Sequence, residues 1–151
     1  MTRHFIYDNW ACQTGKGPDK ARNRVKKMLR KYYVSHGTSE GWILQTDVKG
    51  YYPNMSHAAV KNNFKEYLPK DVHEMICDVL DTQYKGETGY NPGSQMVQIA
   101  GISLLDKTDH YIKEVLHQKY YLRYMDDSMM IAQTKEELES VLENLERKMK
   151  E

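Results

Sequence analysis

"KYYLRYMDDSMMIAQ", residues 119–133, decides how the rest of the chain is read. Two hydrophobic runs, 119–124 and 128–132, have the composition of β-strands and are joined through Met125-Asp126-Asp127. Aspartate has low strand propensity, and a buried carboxylate is costly unless something pairs with it. The two acids are therefore expected at the tip of a hairpin, and something must offset their charge.

Working outward, Thr134 opens a final helix with Glu137 in capping-box position, and Leu138, Val141, Leu142, Leu145 and Met149 form its apolar stripe. Upstream, residues 94–117 carry a helical pattern with Ile102, Leu105, Ile112 and Leu116 on one face. "KGETGYNPG" before it is a loop, residues 71–83 read as a helix, and Pro69 breaks the chain. Ser56 caps a helix running to about Tyr67, preceded by a tight aromatic segment, 49–54, containing Pro53. "GWILQTDV", 41–48, is a short strand with Asp47 near its C-terminal end. Residues 19–35 read as a helix with Val25, Met28, Leu29 and Tyr32 at helical spacing. Strands alternating with helices, and a hairpin among them, predict an α+β layer: a small antiparallel sheet with helices packed on one face.

The 151 residues suffice for a core, and the net charge of +1 implies no particular partner. Its distribution is more informative. Between Lys16 and Lys31 there are eight Lys or Arg and one acid, Asp19, while acids dominate after Glu136. A basic front of this kind suits nucleic acid, and a solvated helix face is the alternative. The two cysteines, Cys12 and Cys77, fit neither zinc spacing nor a disulfide framework and predict free thiols in a reducing compartment. No stretch has the length and apolarity of a membrane span or signal peptide, so a cytoplasmic, intracellular protein with no membrane partner is expected.

If the strand ending at Asp47 neighbours the hairpin, three carboxylates converge at one sheet edge. Such a cluster suits a hard cation, and Mg²⁺ binds through one or two carboxylates while leaving positions for phosphates. An isolated Asp-Asp pair is usually a surface turn, and a lone Asp after a strand is more often a cap. Several signals in order change that balance. "YYLRYMDDSMMI" is similar to the catalytic hairpin of reverse transcriptases, and "LQTDVKGYYPNMSHAAVK" looks like their preceding palm motif. "NPGSQMVQIAGISLLDKTDHYIKE" resembles the element with a Gly-containing turn and a Gln that opens a helix, and "ACQTGKGPDKARNRVKKML" resembles the basic fingers segment. The likeness runs across nearly the whole chain and is greatest to bacterial retroelement enzymes of the diversity-generating, retron and group II intron types.

The resemblance implies an RNA-directed DNA polymerase, with 1–41 as a partial fingers segment and 42–151 as palm. It implies catalytic Asp47, Asp126 and Asp127, and two Mg²⁺ ions (Mn²⁺ a possible substitute) held by those acids and by Val48. Lys49, Gly50, Tyr51, Tyr52 and Gln98 would lie against the incoming dNTP. Tyr52 would lie under the sugar, where a bulky ring excludes a 2′-hydroxyl. Lys16, Arg22, Lys26 and Met125 would contact template or primer. The implied partners are an RNA template, a DNA or RNA primer and dNTPs. Bacterial members usually carry a small hydroxyl residue where this chain has Val97. The resemblance further implies that earlier fingers strands and the thumb lie outside this sequence, supplied elsewhere or by a partner protein, so that the segment alone would be weak or inactive. Two alternatives belong to other classes. A non-catalytic nucleic-acid-binding module could keep the palm scaffold, though it has no need of three clustered acids. A nucleotide cyclase could share the palm, though it has no need of Tyr52 or the basic segment.

Overall fold

The computed structural model describes residues 2–149; residue 1 and residues 150–151, the outer limits of the expected fingers and palm, lie outside the described residues. The chain forms two compact units. One contains 48–106 with the segment up to Phe5, and the other contains 6–47 with the chain from Lys107 onward. The expected division at 41/42 follows resemblance, whereas these units follow packing.

The second unit is built on a three-stranded antiparallel sheet of β1 (Trp42–Thr46), β2 (Tyr121–Tyr124) and β3 (Asp127–Ala132), in the order β1-β3-β2. Registers run from Trp42↔Ala132 to Thr46↔Ser128 and from Tyr121↔Met130 to Tyr124↔Asp127. The central strand β3 reads as a nearly unbroken hydrophobic run because both its faces are buried. Met130 and Ala132 join Tyr121, Leu138, Val141 and Leu145 in one cluster, whereas Ile131 joins Leu122, Tyr120, Met28 and Tyr32 in another. Each fully buried side chain of this kind contributes roughly 1.5–3 kcal/mol.

The α+β class and the small antiparallel sheet are as expected, but the helices flank both faces of the sheet and not one. Helix α1 (Pro18–His36) buries Ala21, Met28 and Tyr32 against one face, and the last helix, α7 (Lys135–Lys148), buries Leu138, Val141 and Leu145 against the other. The period-two alternation of β2 and β3 supplies an apolar row to each side. Leu29, expected in the apolar stripe of α1, is exposed, since the stripe is centred on Met28 and Tyr32. At the outer edge of β2 the 8–10 segment is bonded alongside, with Trp10 N–H donating to Arg123 O and Arg123 N–H to Asp8 O, both at 2.9 Å. The Thr134 hydroxyl accepts from Glu137 N–H, the expected cap of α7.

The first unit is helical. A single turn, α2 (Tyr51–Asn54), leads to α3 (His57–Tyr67), which is capped by Ser56 as its sequence predicts. Then come α4 (Lys70–Gln83) and α5 (Gln95–Leu104), the latter capped by Ser94. Met55, Val60, Phe64, Leu80, Tyr90, Val97 and Ala100 form the core. The helix expected over 94–117 is not continuous. It stops at Leu104, resumes as α6 (Asp106–His110) and ends in a π-type turn, Tyr111–Val115, closed by Leu116 N–H to Tyr111 O at 2.9 Å. Tertiary anchors override the local pattern there, because Asp109 is fixed to Arg123 and Ile112 sits in the core.

Candidate functional site

The hairpin between β2 and β3 turns through only Met125 and Asp126, since Tyr124 already pairs with Asp127. Met125 has φ of 58°, at the first central position, where a two-residue hairpin favours glycine. A left-handed methionine is held only where its surroundings over-determine it, and here two contacts do so. The Cys12 thiol lies 3.3 Å from the Met125 sulfur, and Arg123 Nη1 donates to the Met125 carbonyl at 2.5 Å. Met125 is half-buried in this arrangement.

Arg123 is the anchor of the turn. It is 2% exposed and forms a fork on Asp109, which is 0% exposed. Nε reaches Oδ1 at 2.8 Å and Nη2 reaches Oδ2 at 2.7 Å, while the Tyr121 hydroxyl donates to Oδ1 at 2.5 Å. Burial first, and then the Asp109 charge, pushes the Tyr121 phenol far above its ordinary value, so it remains a donor. A buried guanidinium pinned by a buried carboxylate thus grips the backbone of the turn that carries Asp126.

The third acid comes from the neighbouring strand. The β1–β3 ladder ends at Thr46↔Ser128, whose hydroxyls lie 2.7 Å apart. Asp47 directly follows Thr46 and Asp127 directly precedes Ser128, so the same end of two adjacent strands carries both acids. Asp47 and Asp127 are exposed and Asp126 is half-buried. Asp47 and Asp127 are therefore open to water, and Asp126 keeps part of its surface exposed. Among the described residues, no three or more His, Cys, Asp or Glu side chains are gathered as a ready-made metal cage. The donor set still suits a hard oxygen-seeking cation, which needs one or two carboxylates and completes its shell with water and phosphate oxygens.

The residues expected along a nucleotide belong, with Val48, to the other unit. Lys49 and Gly50 form an exposed turn, with Gly50 left-handed at φ 63°. That left-handed backbone, which side chains rarely adopt, favours glycine at the turn into α2. The Tyr51 hydroxyl donates to Gly101 O at 2.6 Å. The Tyr52 ring fills the place of a side chain at Gly101, where a Cβ would lie 2.8 Å from its hydroxyl oxygen. Gly101 thus seats both tyrosines under α5. Gln98, also on α5, donates to Pro92 O at 3.0 Å, tying it to the preceding loop. Val97 beside it is a wholly buried core residue.

Of the basic residues expected on nucleic acid, Lys16 directs its ammonium to the carbonyls of Tyr7, at 2.8 Å, and Asn9, at 2.5 Å. Burial lowers its pKa, against the pull of Asp8. Arg22 pairs with Asp19 at 2.9 Å on the surface, and Lys26 is exposed. Neither Cys12 nor Cys77 is in a disulfide, and among the described residues no helix is long and apolar enough to cross a membrane.

Sequence reasoning missed Arg123, Asp109 and Gly101. An arginine inside "YYLRY" was the available signal, since a charge in a strand covered on both faces needs a buried counter-charge.

The chain matches no family model and no curated protein. Among solved structures, 28 chains match. One is the apo telomerase from Candida tropicalis truncated from its C-terminal domain, with a TM-score of 0.64 at 17% identity. The match covers 84% of this chain and 31% of that one. At that identity the likeness is one of fold alone, and this chain spans under a third of the telomerase chain's length.

Proposed function

We propose that this chain carries the palm and part of the fingers of an RNA-directed DNA polymerase, most similar in its motifs to bacterial retroelement enzymes. The reaction would be attack of a primer 3′-hydroxyl on the α-phosphate of a dNTP, with pyrophosphate leaving. The observation that carries this reading is the end of the β1–β3 ladder, where Asp47, Asp126 and Asp127 share one solvent-accessible sheet end beside a strained, anchored turn. The telomerase-like fold supports it, because that neighbour is a reverse-transcriptase-related polymerase.

Asp47 and Asp126 would hold divalent magnesium, with the Val48 backbone and Asp127 beside them. When bound, the metal neutralises charge developing on phosphate oxygens and favours ionisation of the attacking hydroxyl. This chain's own residues fix geometry. Arg123 and Asp109 hold the turn, so Asp126 keeps one position relative to β1. Gly50 allows the exposed backbone of Lys49 and Gly50 to turn sharply, which suits close approach to a triphosphate. Tyr52, seated by Gly101, would exclude a ribose 2′-hydroxyl. Gln98 would face the templating pair, and Lys16, Arg22, Lys26 and Met125 would lie along primer and template.

RNA-templated primer extension with Mg²⁺ and dNTPs, using the whole polypeptide as made in the cell, tests the reading. Wild type should extend, and Asp126→Asn or Asp127→Asn should lose on the order of 10³-fold, the scale of one group stabilising transition-state charge. Equal rates would show that the acids are not catalytic and would favour a nucleic-acid-binding module. Tyr52→Ala should relax discrimination against ribonucleotides by roughly 10- to 100-fold, read from the dNTP/rNTP ratio of kcat/KM. An unchanged ratio would remove Tyr52 from sugar selection.

A further inference from the structure

Along the flank of α1, beside its buried stripe, the unit that holds the sheet carries a cleft of about 370 Å³ lined by Tyr7, Trp10, Lys20, Asn23, Arg24 and Lys27. Asn23 and Arg24 lie three and four residues after Lys20 and four and three before Lys27, so the four share one face of the helix. The wall facing them is aromatic. Tyr7 is 66% exposed and stands edge-on to Trp10, with centroids 5.5 Å apart and planes at 86°.

The charges in this cleft differ in availability. Arg24 is tied to Asp8 at 2.6 and 3.1 Å, and its guanidinium lies 5.0 Å from the Tyr7 centroid. Lys16 is tied to backbone carbonyls, with its ammonium 5.6 Å from the Tyr7 centroid and 5.3 Å from that of Trp10. These two cations rigidify the aromatic pair. Lys20 and Lys27 stay exposed along the rim, and Lys20 reaches Gly15 O at 2.6 Å. Asn23 between them offers both a donor and an acceptor.

We infer that this cleft is a single-strand nucleic-acid site in which one base stacks on Tyr7 while Lys20 and Lys27 take the phosphates on either side. An exposed flat ring flanked by paired cations, with exposed ammonium groups at its rim, is the combination of stacking platform and basic groove that binds single strands without sequence preference. The cleft is at the small end of ligand-sized cavities, which suits one nucleotide and not a duplex. The row at positions 20, 23 and 27 is distinct from Lys16, Arg22 and Lys26, which the resemblance assigned to template or primer. The inference rests on the nucleic-acid reading above but on none of its chemistry.

Fluorescence anisotropy, without metal or dNTP, tests it with a labelled short oligothymidylate and an abasic chain of equal length. Wild type should prefer the oligothymidylate. Tyr7→Ala should lose that preference and weaken binding of the oligothymidylate roughly 5- to 100-fold, while Tyr7→Phe keeps both. Lys20→Ala with Lys27→Ala should weaken both ligands and reduce the salt slope by about 1.4. Equal binding of the two chains by wild type, an unchanged Tyr7→Ala or an unchanged salt slope would each overturn the site. A failure here leaves the polymerase chemistry standing, and a failure of primer extension leaves this cleft standing.

Discussion

Asp109 and Asp126 lie in the same compact unit, and their surroundings are opposite. Asp109 is wholly buried, and both its oxygens are taken by Arg123 and Tyr121. Asp126 is half-buried at a turn, followed by exposed Asp127, and exposed Asp47 directly follows β1 at the same sheet end. A buried ionised carboxylate survives only with its charge fully matched, so Asp109 is committed to structure. The acids at the sheet end remain open to solvent and can serve a ligand. Arg123 connects the two, because the guanidinium neutralised by Asp109 also grips the Met125 carbonyl.

The contrast can be broken from either side. At the exposed end, the 10³-fold activity loss expected for Asp126→Asn should come with little change in the unfolding free energy from urea melts, within about 0.5 kcal/mol, as for surface substitutions generally. A large loss of stability would place Asp126 with the structural acids. At the buried end, Asp109→Asn should cost about 3–5 kcal/mol in the same melts, because it strands the Arg123 charge. The pair Asp109→Leu with Arg123→Met should recover much of that stability without recovering primer extension, since the turn has lost its grip. Recovery of extension would show that the buried pair does not position the site.

Asp8 lies between these extremes. It is 4% exposed and accepts from Arg24 at 2.6 Å and Lys113 at 3.2 Å. Burial raises its pKa, but the Arg24 hydrogen bond and the Lys113 charge outweigh burial and hold it below the ordinary 3.8. A carboxyl depressed on folding stabilises fully above its unfolded pKa and loses that contribution as pH falls through the folded value. Thermal melts should therefore show an acid limb below about pH 4, flattened in Asp8→Asn. That variant should also be less stable near neutrality by roughly 1.5–3 kcal/mol, the worth of hydrogen bonds to a charged group. An acid limb identical in wild type and variant would remove Asp8 from the balance.

The exposed half of this contrast was readable from the sequence and the buried half was not. The adjacent acids between hydrophobic runs predict a hairpin tip, and strand β1 ends where the motif places it. The Ser56 and Thr134 caps were also legible, because capping is a short-range rule. Asp109 was hidden in "DKTDHYIKE", where acids and bases at helical spacing look like a solvated face. Only the fold brings it to Arg123, fourteen residues away. The resemblance placed helix α1 in the fingers; that Ala21, Met28 and Tyr32 cover one face of the sheet became visible only in the fold. The basic cleft was missed for a related reason: a charge run does not say which of its members fold inward, and Lys16 does.

The measurement that tests the central claim most directly is Mn²⁺ binding by the chain, followed through the electron paramagnetic resonance of the free ion. Wild type should bind Mn²⁺ competitively with Mg²⁺, Asp47→Asn and Asp126→Asn should each abolish that binding, and Asp71→Asn, at an exposed acid of the other unit, should leave it intact. Binding that survives both sheet-end substitutions, or that falls equally with Asp71→Asn, would contradict the assignment of Asp47 and Asp126 to a metal site.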